Sequence, residues 1–170
     1  MVIKKDSPII KRKKKKARDH SIKEGIFATA HSAFGNNYIS PFAIAINASN
    51  PLIALLSSIS GLLGPISQLT SPKLLKNNSR KKVLSRAILI EAIMWIPFIA
   101  TAFLFYKGIL ISYLPYLLLF FFALSTIASN IGTPAWYSWI GDIVDDRHRG
   151  RWFAKRNLLL GFVTVVMAIS

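Results

Sequence analysis

Charge and apolarity are kept apart along this chain, and that separation limits what it can fold into more than any other feature does. Long uncharged apolar stretches alternate with short clusters rich in Lys and Arg. A soluble core would instead interleave charged residues at helix or strand spacing, so that each element turned one face to water. The chain is 52% hydrophobic, with a mean hydropathy of +0.42, and carries a formal net charge of +15 over 170 residues. Those values coexist only when the two kinds of residue are segregated, as in membrane helices joined by loops.

A helix rises about 1.5 Å per residue, so crossing a hydrocarbon core of about 30 Å takes roughly 20 apolar residues. Four segments meet that length, at residues 25–46, 52–71, 83–106 and 109–131. A fifth apolar stretch at 158–170 is read as a partial span, too short to cross without help. The helical pattern continues past Pro134 to about residue 144, which predicts one long helix kinked at that proline. A basic arm at 1–23 and loops at about 72–82 and 141–157 complete the expected organisation, the membrane domain being 24–170.

The basic residues assign sides. Ten lie in the arm, six between residues 73 and 86, and five between 147 and 156; Lys107 is the remaining one. In a four-span arrangement the three clusters fall on one side, which the excess of Lys and Arg on cytoplasmic loops makes the inside. The N-terminus is therefore expected in the cytoplasm, in a multi-pass protein of the cell membrane. The run from Lys11 to Lys16 has no adjacent apolar stretch long enough for a secretory signal. It reads as a topology determinant beside anionic headgroups, with the bilayer as partner and no nucleic acid. Cysteine is absent, and His20, His31 and His148 are not at metal-ligand spacing, so no metal and no cofactor are expected. No phosphate-binding Gly-x-x-x-x-Gly-Lys pattern occurs, and Glu91 and His31, on different spans, are not a convergent catalytic set. No enzyme is expected.

Polar residues inside spans must face another helix or a wet cavity, because lipid offers no hydrogen bonds. In the second span Ser57, Ser60, Gly61, Gly64, Ser67, Gln68 and Ser71 share one helical face, the composition of a close-packing seam. In the fourth, Ser125, Thr126, Ser129, Asn130, Thr133 and Tyr137 form a polar arc, a candidate lining for a solute path or a set of interhelical hydrogen bonds. Asn36 and Asn37, beside Gly35 and before Pro41, are expected to loosen the first span and join the candidate lining. Glu91 is the one carboxylate well inside a span and completes that set.

Two loops carry a resemblance. Gly64 is followed four residues later by Gln68 and then by the basic turn Ser79-Arg80-Lys81-Lys82; residues 134–142 lead into Arg149-Gly150-Arg151-Trp152. These resemble the signature between helices two and three, and the loop between helices four and five, of the major facilitator superfamily, with Gln68 where the family has Asp. Glu24-Gly25-Ile26-Phe27 is similar to its first helix. The resemblance implies an all-α integral membrane fold corresponding to the first part of the N-terminal bundle: about four transmembrane helices plus a truncated fifth. It also implies a cytoplasmic gate or latch at Gly64, Gln68, Arg80, Lys81, Asp142, Arg149, Gly150 and Arg151, with Arg80 and Asp142 as candidate partners. The implied function is secondary transport of a small solute. The family needs more helices than these, so the chain is expected to be a truncated or split portion, inactive without the missing remainder. The alternative is a small non-transporting membrane protein, a homo-oligomeric helical module or a remnant.

Overall fold

The structure, a computed structural model, describes residues 7–169, and these are helical throughout apart from short turns. In lipid each backbone N–H and C=O must find a partner within the chain, and a helix satisfies both locally. Eight α-helices follow in order: α1 (Pro8–Phe34), α2 (Ile39–Ala45), α3 (Asn50–Gln68), α4 (Ser71–Asn77), α5 (Arg80–Ile93), α6 (Trp95–Tyr106), α7 (Leu114–Ile143) and α8 (Asp146–Ile169). Four stretches are long and apolar enough to cross a membrane: Asn50–Asn77, Arg80–Tyr106, Ile111–Ile143 and Asp146–Ile169.

Three differences from the sequence-based expectation have local causes. The first span is not one helix over 25–46. Instead α1 starts in the basic arm and ends at Phe34, a 3-10 turn occupies Asn36–Tyr38, and α2 follows. Pro41 lacks the N–H that would bond the carbonyl of Asn37, and its ring crowds that carbonyl, so an α-helix cannot run through the two asparagines undisturbed. The fifth stretch is not a 158–170 fragment but a helix of 24 residues. Its early start is capped: the Asp145 carboxylate accepts the N–H of Arg147 at 3.2 Å, the usual role of an acid before a helix. The expected loops at 72–82 and 141–157 shrink accordingly to Asn78-Ser79 and Val144-Asp145 between helices.

Prolines also shape the other spans. Pro72 leaves the Gln68 carbonyl without a helical donor, and α3 gives way to α4 across Leu69-Thr70. Pro97 does the same to Ile93, and α5 passes to α6 at Met94. Pro134, in contrast, is accommodated within α7, which runs unbroken for 30 residues. Between α6 and α7 the chain reverses through Gly108 (φ +69°) and Leu110 (φ 56°), the former in the left-handed region that glycine enters without strain.

The chain divides into two compact units. The first holds the described residues up to Tyr38 and from Trp139 onward; the second is Ile39–Ser138. In the second, Ile39, Ala43, Ile46, Leu56, Phe98, Leu114 and Leu118 form a buried core, with Phe42 edge-on to Phe105 at 6.1 Å between ring centroids. Large apolar side chains including Leu62, Ile66, Leu69, Ile96, Ile99 and Phe103 stay on the outside. In water such continuous apolar surface would drive association, whereas a bilayer solvates it.

Candidate functional site

Two groups of polar residues are assembled by the fold, one in each unit. In the second unit α3 and α7 meet at a close approach made by Gly64. A Cβ on that residue would stand 3.3 Å from the Asn130 side-chain oxygen. Because glycine leaves that room, Gln68 Nε2 donates to Asn130 Oδ1 at 3.0 Å, and Asn130 Nδ2 donates to the Thr126 carbonyl at 2.9 Å. Ser67 Oγ donates to the Gly64 carbonyl at 2.7 Å, and Ser129 Oγ to the Thr126 carbonyl at 3.2 Å. Two residues beyond Asn130 on α7, Gly132 lies against α5, where a Cβ would come within 3.0 Å of Ala87 Cβ. The polar arc of α7 thus serves in part as a packing seam of small residues crossed by an amide pair.

This seam joins residues that the sequence reading had placed in separate groups. Gly64 and Gln68 were expected at a latch and Asn130 along a path; they touch one another. Ser125 and Thr133 are half-buried on α7, Tyr137 is exposed with its ring edge-on to Trp136 at 5.1 Å, and Glu91 is half-buried on α5. Asn36 and Asn37 are exposed in the 3-10 turn. The small-residue face of α3 is covered only over its second half: Gly64 and Ser67 are buried, as is Ser71 at the start of α4, whereas Ser57, Ser60 and Gly61 are exposed.

In the first unit the end of α7 is held by two arginines from different helices. Arg18 Nη1 of α1 donates to the Ile143 carbonyl at 3.1 Å, and Arg149 Nη2 of α8 donates to the Gly141 carbonyl at 3.1 Å. The last carbonyls of a helix have no intrahelical donor and sit at its negative end, so guanidinium groups suit both needs. Arg149 also pairs with Asp146 one turn earlier on α8. Beyond this cap α1 packs on α8: Arg156 Nη2 stands 3.5 Å from Glu24 Oε2, and Gly25 lets the Arg156 and Leu160 side chains come close. Arg18 meets Ile143, the last residue of α7 and three positions ahead of α8, and Gly25, seven positions on, meets Arg156 and Leu160 well inside α8; α1 and α8 therefore run the same way.

Of the latch residues expected on this side, Arg149 takes part in the cap. Asp142 is exposed near the end of α7, and Gly150 and Arg151 are exposed on α8, with open space where a Cβ on Gly150 would stand. Arg80 and Lys81 are exposed at the start of α5, after Ser79, whose Oγ accepts the Lys82 N–H at 3.3 Å. The sequence reading missed Arg18, counted there as one more topology charge, and the pairing of Glu24 with Arg156. The Glu24-Gly25 pair was the available signal: an acid followed by the smallest residue at a helix's entry to the membrane.

Helices long and apolar enough to cross a membrane, packed through a seam of small and polar residues, define a helical membrane protein rather than a soluble bundle. The family model described as Major Facilitator Superfamily matches residues 25–170, and the chain belongs to that superfamily of transporters. Comparison with curated proteins and with solved structures returns no match.

Proposed function

We propose that these residues act as the first-half portion of a secondary transporter for a small solute, in the cell membrane with the N-terminus in the cytoplasm. The observation that carries this reading is the family match over residues 25–170. The placement of the basic residues supports the orientation, since three of the four clusters or single charges share one side of the span pattern. The candidate path is the α7 arc with Ser125, Ser129, Thr133 and Tyr137, together with Glu91 and the Asn36-Asn37 break. Asn130 holds that arc to α3 through Gln68. The apolar window of α8 holds no fully buried residue, which leaves room beside it for further helices as well as lipid; the 170 residues alone are inactive in this reading.

The second reading, a small non-transporting helical module, draws on the amide pair, because Gln68 and Asn130 satisfy one another and leave less for a solute. Both are tested by expressing the chain with reporters fused after Leu75 and Lys107, then measuring uptake of labelled sugars, amino acids and dicarboxylates into vesicles under a proton gradient. The portion reading expects an inside signal, an outside signal, no uptake, and a chain that aggregates after detergent extraction. Uptake by the chain alone would overturn it, as would a stable oligomer of defined size, which the second reading expects.

A further inference from the structure

The faces of α8 are chemically distinct. At 3.6 residues per turn, Arg147, Arg151 and Lys155 fall on one arc, and Leu158, Phe162 and Ile169 continue the same arc along the apolar half. All three cations are exposed, and so are the three apolar side chains, at 77%, 66% and 82%. The opposite side, with Arg149, Arg156 and Leu160, is the one that meets α1 and the end of α7. Of the nearby acids, Asp146 pairs with Arg149 and Glu24 with Arg156 on that opposite side, and the Asp145 carboxylate accepts the Arg147 backbone N–H at the helix start. No carboxylate occurs between residues 147 and 169. Among the described residues, the side chains of Arg147, Arg151 and Lys155 have no hydrogen-bond or ion-pair partner.

We propose that this face of α8 holds an anionic phospholipid of the cytoplasmic leaflet, its phosphate on Arg151 and Lys155 and an acyl chain along Leu158, Phe162 and Ile169. The proposal rests on the cytoplasmic N-terminus given under the proposed function, with α8 crossing the membrane from its Asp146 end in the cytoplasm. Spacing supports the assignment: Lys155 stands three residues above Leu158, about 4.5 Å along the axis, and the headgroup layer is about 5 to 7 Å thick. The longer side chain of Arg151 reaches the same level from one turn above, as cations at helix ends do. Arg147 stands further out and adds long-range attraction. A bare phosphate would use only the cations; a zwitterionic lipid would use only the apolar stripe. The continuity of the two halves selects a lipid with net negative charge.

The test is native mass spectrometry of the full chain, taken from the membrane in polymer-bounded lipid discs without detergent, with phosphatidylglycerol and phosphatidylcholine of identical acyl chains. A cation near the surface is worth about fivefold in lipid affinity, so Arg151→Gln with Lys155→Gln is expected to lower phosphatidylglycerol binding about thirtyfold. Arg151→Lys with Lys155→Arg should restore it, and Lys13→Gln with Lys15→Gln, the same charge loss in the arm, should lower it far less, because the arm attracts anionic headgroups without an adjoining apolar stripe. Equal retention of the two lipids, equal loss with the arm variant, or displacement by millimolar inorganic phosphate would each overturn the lipid site. A single cysteine at Phe162, in a chain that otherwise has none, separates the two levels of failure. Labelling of Phe162→Cys by a membrane-impermeant maleimide would sink the spanning of α8 itself; protection together with no lipid preference would sink the lipid site alone.

Discussion

The two units are held by different physics. In the first, the contacts across helices are charged: Arg18 and Arg149 on helix-end carbonyls, Arg156 beside Glu24. In the second, they are steric and neutral: Gly64 under Asn130, Gly132 against Ala87, and one amide pair. The contrast follows from the surroundings of each set. Charged side chains are tolerated near a helix end, where carbonyls and opposite charges are within reach, while within the hydrocarbon they are expensive and association relies on close packing and neutral hydrogen bonds. The first unit should accordingly respond to salt and charge, the second to volume.

The largest expected effect tests whether the first unit also depends on shape. A Cβ on Gly25 would stand 2.6 Å from Arg156 Nη2 and 3.0 Å from Leu160 Cδ1. Gly25→Leu should cost about 3 kcal/mol and expose α1 to proteolysis while leaving the second unit resistant. If protease patterns of both units change together, the division into independently held halves is wrong. Next comes Gly132→Ala, expected to cost about 1 to 2 kcal/mol because Ala87 Cβ is a stiff neighbour at 3.0 Å from the new carbon. Ala87→Gly in the same chain should recover most of that loss in thermal melts; failure to recover would mean that α5 and α7 do not pack as described.

Smaller effects sharpen the comparison. Gln68→Leu should destabilise by about 1 kcal/mol by leaving the Asn130 amide short of a partner. The double change Gln68→Leu with Asn130→Leu should be no worse than the single one if pairing, and not volume beside Gly64, dominates. Arg18→Ala removes the donor to Ile143 and is expected to cost about 1 kcal/mol, read as faster hydrogen exchange at the end of α7. Smallest is Glu24→Gln, about 0.5 kcal/mol for a 3.5 Å pair in which Glu24 is half-exposed and Arg156 largely covered, with an effect that shrinks in high salt. A salt-dependent change of similar size in Gln68→Leu would blur the distinction between the units.

Much of the helical content could be read from composition, since a stretch without charges longer than about 20 residues leaves the backbone few alternatives in lipid. The long α7 through Pro134 is one such case. The break after Phe34 was foreshadowed by Gly35, Asn36, Asn37 and Pro41, but its extent was not, because several weak helix breakers act together and tertiary packing decides which turn gives way. The start of α8 was misjudged because charge was read as loop, whereas Asp145 caps a helix that begins among the charges. At the candidate site, the wheel assigned Gly64, Gln68 and Asn130 to polar faces without showing that those faces meet.

What the sequence determined by itself was local: where helices form, where charges stop them from entering lipid, and which residues share a helical face. These follow from a repeat of 3.6 residues and from the cost of an unpaired backbone group in hydrocarbon. The tertiary structure alone decided the meetings between Gln68 and Asn130, 62 residues apart, and between Arg18 and the Ile143 carbonyl, 125 apart. Such pairings depend on how closely two helices can approach, and that distance is set by glycines such as Gly25 and Gly64 acting on a neighbour that no local pattern names.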